Sequence, residues 1–150
     1  MFDTEQMKMK TGDLGEKLVA RYYRDLGYTV EESLDLFDYE KDMMINNERC
    51  EIKTQQRWHR ESAFTIKPNQ LKKCQEVDIL VIVETPSKYN NMTVTLYEFP
   101  KDKRNFYRRQ TYDGRVMYCI KTALGTVLTT YTDPVIINQF NRYSNSSWVK

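Results

Sequence analysis

The spacing of apolar and polar residues divides the chain into an amphipathic helix, a run of short strands and a closing helix. Leu14, Leu18, Tyr22 and Leu26 recur at four-residue intervals, predicting a helix over about Gly12–Leu26 with these residues as its buried stripe. Thr11 or Asp13 is suited to cap it, and Gly27 to end it in the left-handed conformation. Tyr28-Thr29-Val30 then begins a strand. Further on, Asp42–Ile45 and Glu48–Lys53 flank Asn46-Asn47, and asparagine tolerates the positive φ of a two-residue hairpin turn. Such a turn pairs Ile45 with Glu48 and, counting outward, Asp42 with Glu51. Directly opposed residues share a face, with β-carbons about 5 Å apart. Lys53, two residues past Glu51, joins that face, whereas Met43, Ile45, Cys50 and Ile52 point the other way and can enter a core.

After a loop at 57–61, Ser62–Ile66 reads as a short strand. Pro68 is an allowed first helical residue, and a helix is predicted from there to about Gln75. Asp78–Thr85 reads as a buried central strand and Thr93–Phe99 as its neighbour. Asp113-Gly114 is a hairpin turn joining Phe106–Tyr112 to Arg115–Lys121. Asp133-Pro134 opens a last helix, with Val135, Ile136, Phe140 and Tyr143 apolar and a polar end at 144–147 expected to fray.

Length and composition narrow the class. A chain of 150 residues is one domain's worth, here 1–150. Its longest apolar run, Ile79–Val83, is far short of the ~20 residues of a membrane span. The first residues, MFDTEQMKMK, have no apolar signal core, so a cytoplasmic protein without a membrane partner is expected. Three cysteines, Cys50, Cys74 and Cys119, are an odd number at spacings unlike a zinc site, which fits a reducing compartment. The net charge of +2 speaks against a nucleic-acid-binding protein until its distribution is examined. Up to Ile52 there are 7 basic and 13 acidic residues; from Lys53 onward there are 16 basic and 8 acidic. An acidic first third therefore meets a basic remainder within Glu51-Ile52-Lys53.

That boundary carries the candidate chemistry. Two carboxylates held side by side, Asp42 and Glu51, repel each other unless a cation lies between them. A hard cation such as Mg²⁺ takes one or two carboxylates and leaves positions for water and phosphate. Lys53 beside it could orient an attacking water and stabilise charge growing on a phosphate, a minimal apparatus for phosphodiester hydrolysis. Asp38 shares the face by even spacing but falls opposite Gln55, and Asp35 lies farther off. An exposed hairpin face with Lys53 paired to acidic neighbours is the structural alternative.

With Gly12–Glu16, Asp42–Ile45, Glu51–Gln55, Ser62–Ile66 and Asp78–Val83 in this order, the chain resembles the PD-(D/E)XK nuclease superfamily. Restriction enzymes, phage nucleases and archaeal Holliday junction resolvases share that fold. The resemblance covers roughly Gly12–Thr85; Lys41 stands where the family often has Pro. It implies a restriction-endonuclease-like αβββαβ core, with a mixed central sheet flanked by helices, over about 12–99. A C-terminal β-hairpin and helix, about 100–150, would then serve specificity or oligomerisation. It implies Asp42 and Glu51 as Mg²⁺ ligands (Mn²⁺ substituting), the Ile52 carbonyl as a third ligand and Lys53 as the catalytic lysine. Glu16 matches a first-helix glutamate that some branches bring to the metal, and Gln55 a glutamine that follows the lysine in others.

On this reading Arg57, Trp58 and Arg60 form one DNA-contacting cluster. Lys101, Lys103, Arg104, Arg108 and Arg109 form a second, whose cations neutralise phosphates. His59 reads as a solvated loop residue. The expected activity is a Mg²⁺-dependent DNA endonuclease on duplex or branched DNA, a site-specific double-strand cutter of homing or restriction type. Since one small subunit holds one site, cutting both strands implies a homodimer or higher oligomer. A Holliday junction resolvase-like nuclease and a non-cleaving nucleic-acid-binding module are the alternatives.

Overall fold

The computed structural model describes residues 4–32 and 43–144. Among the described residues the chain is a mixed α/β structure of three helices and two sheets. The first helix, α1 (Thr4–Asp25), begins well before Gly12, so Thr11 and Asp13 lie inside it and not at its cap. Its buried residues are Gly15, Leu18, Val19, Ala20 and Tyr23, with Leu14 and Tyr22 half-buried, whereas Leu26 is 55% exposed. The correction has a geometric cause. Each four-residue step overshoots a 3.6-residue turn by about 40°, so three steps carry the stripe about 120° around the helix. Gly27 does end the element, with φ +92° and its N–H donating to the Arg24 carbonyl at 2.9 Å.

Strands β1 (Val30–Glu31), β2 (Met43–Ile45) and β3 (Glu48–Gln55) follow. Asn46 and Asn47 have φ of 50° and 67°, and the register is Ile45 to Glu48, Met44 to Arg49 and Met43 to Cys50, as the turn chemistry predicts. Asp35, Asp38 and Asp42 lie outside the described residues. So do 145–147 of the polar end, and the Tyr143 side chain is not described.

Strand β4 (Ala63–Ile66) leads through a 3₁₀ turn at Pro68–Gln70 into α2 (Leu71–Glu76). Strands β5 (Ile79–Glu84) and β6 (Val94–Glu98) come next, then the hairpin β7 (Tyr107–Gln110) and β8 (Val116–Lys121). Strand β9 (Thr126–Tyr131) and helix α3 (Pro134–Ser144) close the fold. The central sheet has the order β1-β2-β3-β5-β6-β9, with β3 and β5 parallel and its other pairs antiparallel. Two differences from the sequence reading matter. Strand β4 leaves this sheet and pairs with β8 in a second one, ordered β4-β8-β7. Strand β9 has no counterpart in the sequence reading, because an edge strand with Val127 exposed and Leu128 only half-buried shows little apolar signal.

Two cores result. Leu18, Val19 and Tyr23 of α1 and Ile136 and Phe140 of α3 cover one sheet face, packing on Met43, Ile45, Cys50, Val81, Val83, Val94 and Leu96. On the other face, Leu80, Ile82, Tyr97 and Phe99 meet Phe64, Ile66 and Ile120 of the second sheet and Cys74 and Val77. Strand β9 and α3 thus return to the central sheet and its first core. Among the described residues no helix is long and apolar enough to cross a membrane.

Candidate active site

The two faces of β3 differ sharply. Cys50, Ile52 and Thr54 turn toward α1, while Glu51, Lys53 and Gln55 turn toward β4 and α2. The backbone of β3 also alternates, between its two edges. In a two-residue hairpin the residues flanking the turn exchange hydrogen bonds, so Glu48, Cys50 and Ile52 aim N–H and C=O toward β2. The complementary set aims at β5, and the Gln55 carbonyl accordingly accepts from Thr85 N–H at 3.0 Å. The Ile52 carbonyl therefore faces the β2 side of the strand, beyond the last described pair at Cys50.

Glu51 is the centre of the cluster. Its side chain is 12% exposed, with Lys53 Nζ 3.7 Å from Oε1 and Lys73 Nζ 2.8 Å from Oε2. Oε2 is nevertheless enclosed without a hydrogen bond of acceptable geometry, so Lys73 compensates its charge without satisfying its lone pairs. Lys53 donates to Gln70 Oε1 at 2.9 Å. Beneath them burial pushes the Cys74 thiol up to about 11, so it is a packing group. Lys73 and Gln70 belong to the second helical segment, and both are half-buried, whereas Lys72 is exposed.

Glu16 approaches this cluster from the other side of the strand. A Cβ on Gly15 would lie 2.0 Å from Thr54 Oγ1, so glycine is what lets α1 settle against β3. The neighbouring Glu16 has exposed surface, yet partial withdrawal from water, then the Asp13 and Glu51 charges, raises its carboxyl above the usual range, with Lys53 opposing. Glu16 thus senses both Glu51 and Lys53. Gln55 does something else. Its Oε1 accepts from Thr65 N–H at 2.9 Å and its Nε2 donates to the Thr65 carbonyl at 2.8 Å. The amide completes the free edge of β4 and ties the two sheets together, so Gln55 is not available to a metal.

The proposed DNA contacts separate into held and exposed groups. Arg57 donates to both oxygens of buried Glu84, at 2.6 and 2.9 Å, and to Tyr97 Oη at 3.0 Å. Arg104 is buried, donating to the carbonyls of Phe99, Cys74, Gln75, Val77 and Asp78, and burial lowers its pKa. Both are therefore corrected to structural residues, since neither guanidinium is presented to a phosphate. Trp58 is half-buried and bridged to Ala63. Arg60, Lys103 and Arg108 are exposed; Lys101 lies 3.7 Å from Asp78, and Arg109 is held by Glu61 at 3.2 Å over the Tyr107 ring. His59 is exposed and stacks on Tyr89, centroids 3.6 Å apart. Arg60 follows the Gln55 end of β3, Lys101 and Lys103 lie near Asp78 at its other end, and Arg108 and Arg109 occupy the outer strand β7.

Among the described residues no three His, Cys, Asp or Glu side chains converge as a metal group. Glu51 offers the carboxylate oxygens that a hard cation takes but is already paired with Lys53 and Lys73, so the described residues by themselves do not make up a Mg²⁺ site. A cleft of about 400 Å³ lies elsewhere, lined by Tyr22, Tyr23, Tyr28 and Glu98 among others, and contains none of the cluster. No protein-family profile, curated protein or solved structure matches this chain.

Proposed function

We propose that the protein is a metal-dependent DNA endonuclease acting at Glu51 and Lys53. The observation that carries the reading is the enclosed Glu51 oxygen without a hydrogen bond, with Lys53 beside it on the same face of the strand. Further support is the element order, since α1, the β1–β2–β3 meander, α2 and β5 parallel to β3 follow the αβββαβ sequence of a restriction-endonuclease-like core, with β4 diverted. Glu51 and the Ile52 carbonyl would hold Mg²⁺ or Mn²⁺. Asp42, which lies outside the described residues, would be the second carboxylate. A bound divalent cation supplies positive charge to the phosphate and lowers the pKa of its water. Lys53, held by Gln70, would orient the attacking water, and Glu16 would add a carboxylate at the margin. Arg60, Lys101, Lys103, Arg108 and Arg109 remain as phosphate contacts. A duplex cut of homing or restriction type would use two copies of the chain.

One observation favours a non-cleaving nucleic-acid-binding module instead: Lys73 already neutralises Glu51. One assay separates the readings. Plasmid and four-way junction DNA are incubated with the protein in Mg²⁺ or chelator, beside the Asp42→Asn and Lys53→Ala variants. Mg²⁺-dependent cutting lost in both variants is expected. Binding without cutting would select the module, and cutting that survives both substitutions would move the chemistry elsewhere.

A further inference from the structure

We propose that the stacked rings of His59 and Tyr89 form a platform for an unpaired base of DNA, with Arg60 and Lys88 taking the phosphates beside it. This rests on the DNA reading above and deepens it by substrate class: DNA that carries an unpaired or extruded base. Strands β3 and β5 are parallel, so the segments that follow them, 56–62 and 85–93, leave the same end of the sheet. Both segments are held in place. In the first, Arg57 is clamped to Glu84, and Trp58 N–H donates to the Ala63 carbonyl at 2.7 Å. In the second, Ser87 and Asn90 cap each other, with Ser87 N–H donating to Asn90 Oδ1 at 2.9 Å. Asn90 Nδ2 also donates to the Thr85 carbonyl at 3.0 Å. These anchors bring two rings from distant positions in the chain into a parallel stack, centroids 3.6 Å apart and planes 13° apart.

The stack belongs to neither core. His59 is exposed and Tyr89 is 49% exposed, so folding leaves aromatic surface in water. A nucleobase is a planar partner for such a surface, and stacking tolerates any sequence because every base has a π face. In a duplex those faces are covered by the neighbouring pairs, so only an unpaired or extruded base can reach the rings. The charges around the rings suit a nucleotide. Lys88 Nζ lies 5.1 Å from the Tyr89 centroid, and Arg60, next to His59 in the chain, is exposed. The carboxylates nearest in the chain are already taken, Glu61 by Tyr107 and Arg109 and Glu84 by Arg57. Neither therefore competes with a phosphate for Arg60 or Lys88.

Fluorescence anisotropy of the full chain in chelator, which prevents cutting, tests this with a labelled single strand, the same strand carrying abasic nucleotides, and a duplex. Wild type is expected to bind the single strand roughly fivefold or more tightly than the abasic strand. Tyr89→Ala should lose roughly fivefold to twentyfold on the single strand and leave the abasic strand and the duplex unchanged. Tyr89→Phe keeps the ring and should bind as wild type does, as should Tyr112→Ala at another exposed tyrosine. Arg60→Ala and Lys88→Ala should each weaken the single strand and its abasic form alike and lower the salt dependence by about one counter-ion. All these variants should melt as wild type does, because the side chains lie outside both cores. Equal wild-type binding of the base-bearing and abasic strands overturns the platform, as does unchanged single-strand affinity in Tyr89→Ala, even where the protein cuts duplex DNA in Mg²⁺. No binding of any probe overturns it as well. Base-dependent binding that Tyr89→Ala loses, in a protein that cuts no DNA, keeps the platform and removes the nuclease reading.

Discussion

Glu51 and Glu84 lie on neighbouring parallel strands, on the same face of the central sheet, and are satisfied in opposite ways. Glu84 is 1% exposed, and every oxygen has a donor: Arg57 grips both, and Tyr97 adds a bond at 3.2 Å. The hydrogen bond to Glu84 raises the Arg57 pKa, with the Glu84 charge adding to it and burial opposing, and the forked contact closes the guanidinium on its partner. Glu51 meets two lysines and keeps one oxygen without a hydrogen bond. Two carboxylates on one sheet face therefore differ in how their oxygens are satisfied. A planar guanidinium with a forked pair of donors locks its partner, whereas flexible ammonium groups balance charge and can be exchanged.

The largest effect should separate chemistry from stability. Glu51→Gln and Lys53→Ala are expected to lower single-turnover DNA cleavage by roughly a thousandfold while the protein still melts cooperatively. If either retains near-wild-type cleavage, the contrast between the two carboxylates loses its functional half.

Glu84→Gln and Arg57→Ala should do the reverse, each costing about 3 kcal/mol by stranding a buried charge or donor, as read by chemical denaturation. A loss under about 1 kcal/mol would show that the clamp is not what closes Glu84.

Gly15→Ala acts on the approach of α1 to the same strand. The clash with Thr54 Oγ1 should cost about 1–3 kcal/mol. Most of it should return in the Gly15→Ala, Thr54→Ala double variant, since the two sites share one contact.

The smallest expected effect concerns Glu61, a third carboxylate, which joins the turn before β4 to the second sheet. The Tyr107 hydroxyl, then Arg109 and Lys121, hold its pKa below the usual carboxylate range. Its stabilising contribution is therefore present above the unfolded value near ~4 and lost as pH falls through the lower folded value. Glu61→Gln should melt slightly below wild type at neutral pH, and the gap should close in acid. A gap that persists unchanged at low pH would assign the effect to packing.

Features set by neighbours in sequence were legible. Alternation put Glu51, Lys53 and Gln55 on one face of β3, and two asparagines with positive φ fixed the hairpin register. Pro68 and Gly27 marked element ends for backbone reasons. These depend on dihedral preferences and side-chain period, which a few consecutive residues specify.

What was not legible depends on segments far apart in the chain. Arg57 and Arg104 look like phosphate-binding residues in any linear reading, because the groups that hold them, Glu84, Tyr97 and five backbone carbonyls, come from other strands and loops. The diversion of β4 to β8 turned Gln55 from a candidate at the metal into the clasp between two sheets. Lys73 entered the site only because α2 docks over β3. The side chains that share a face of β3 were written locally; which charges are locked followed from packing, because burial and partner geometry exist only once distant segments meet.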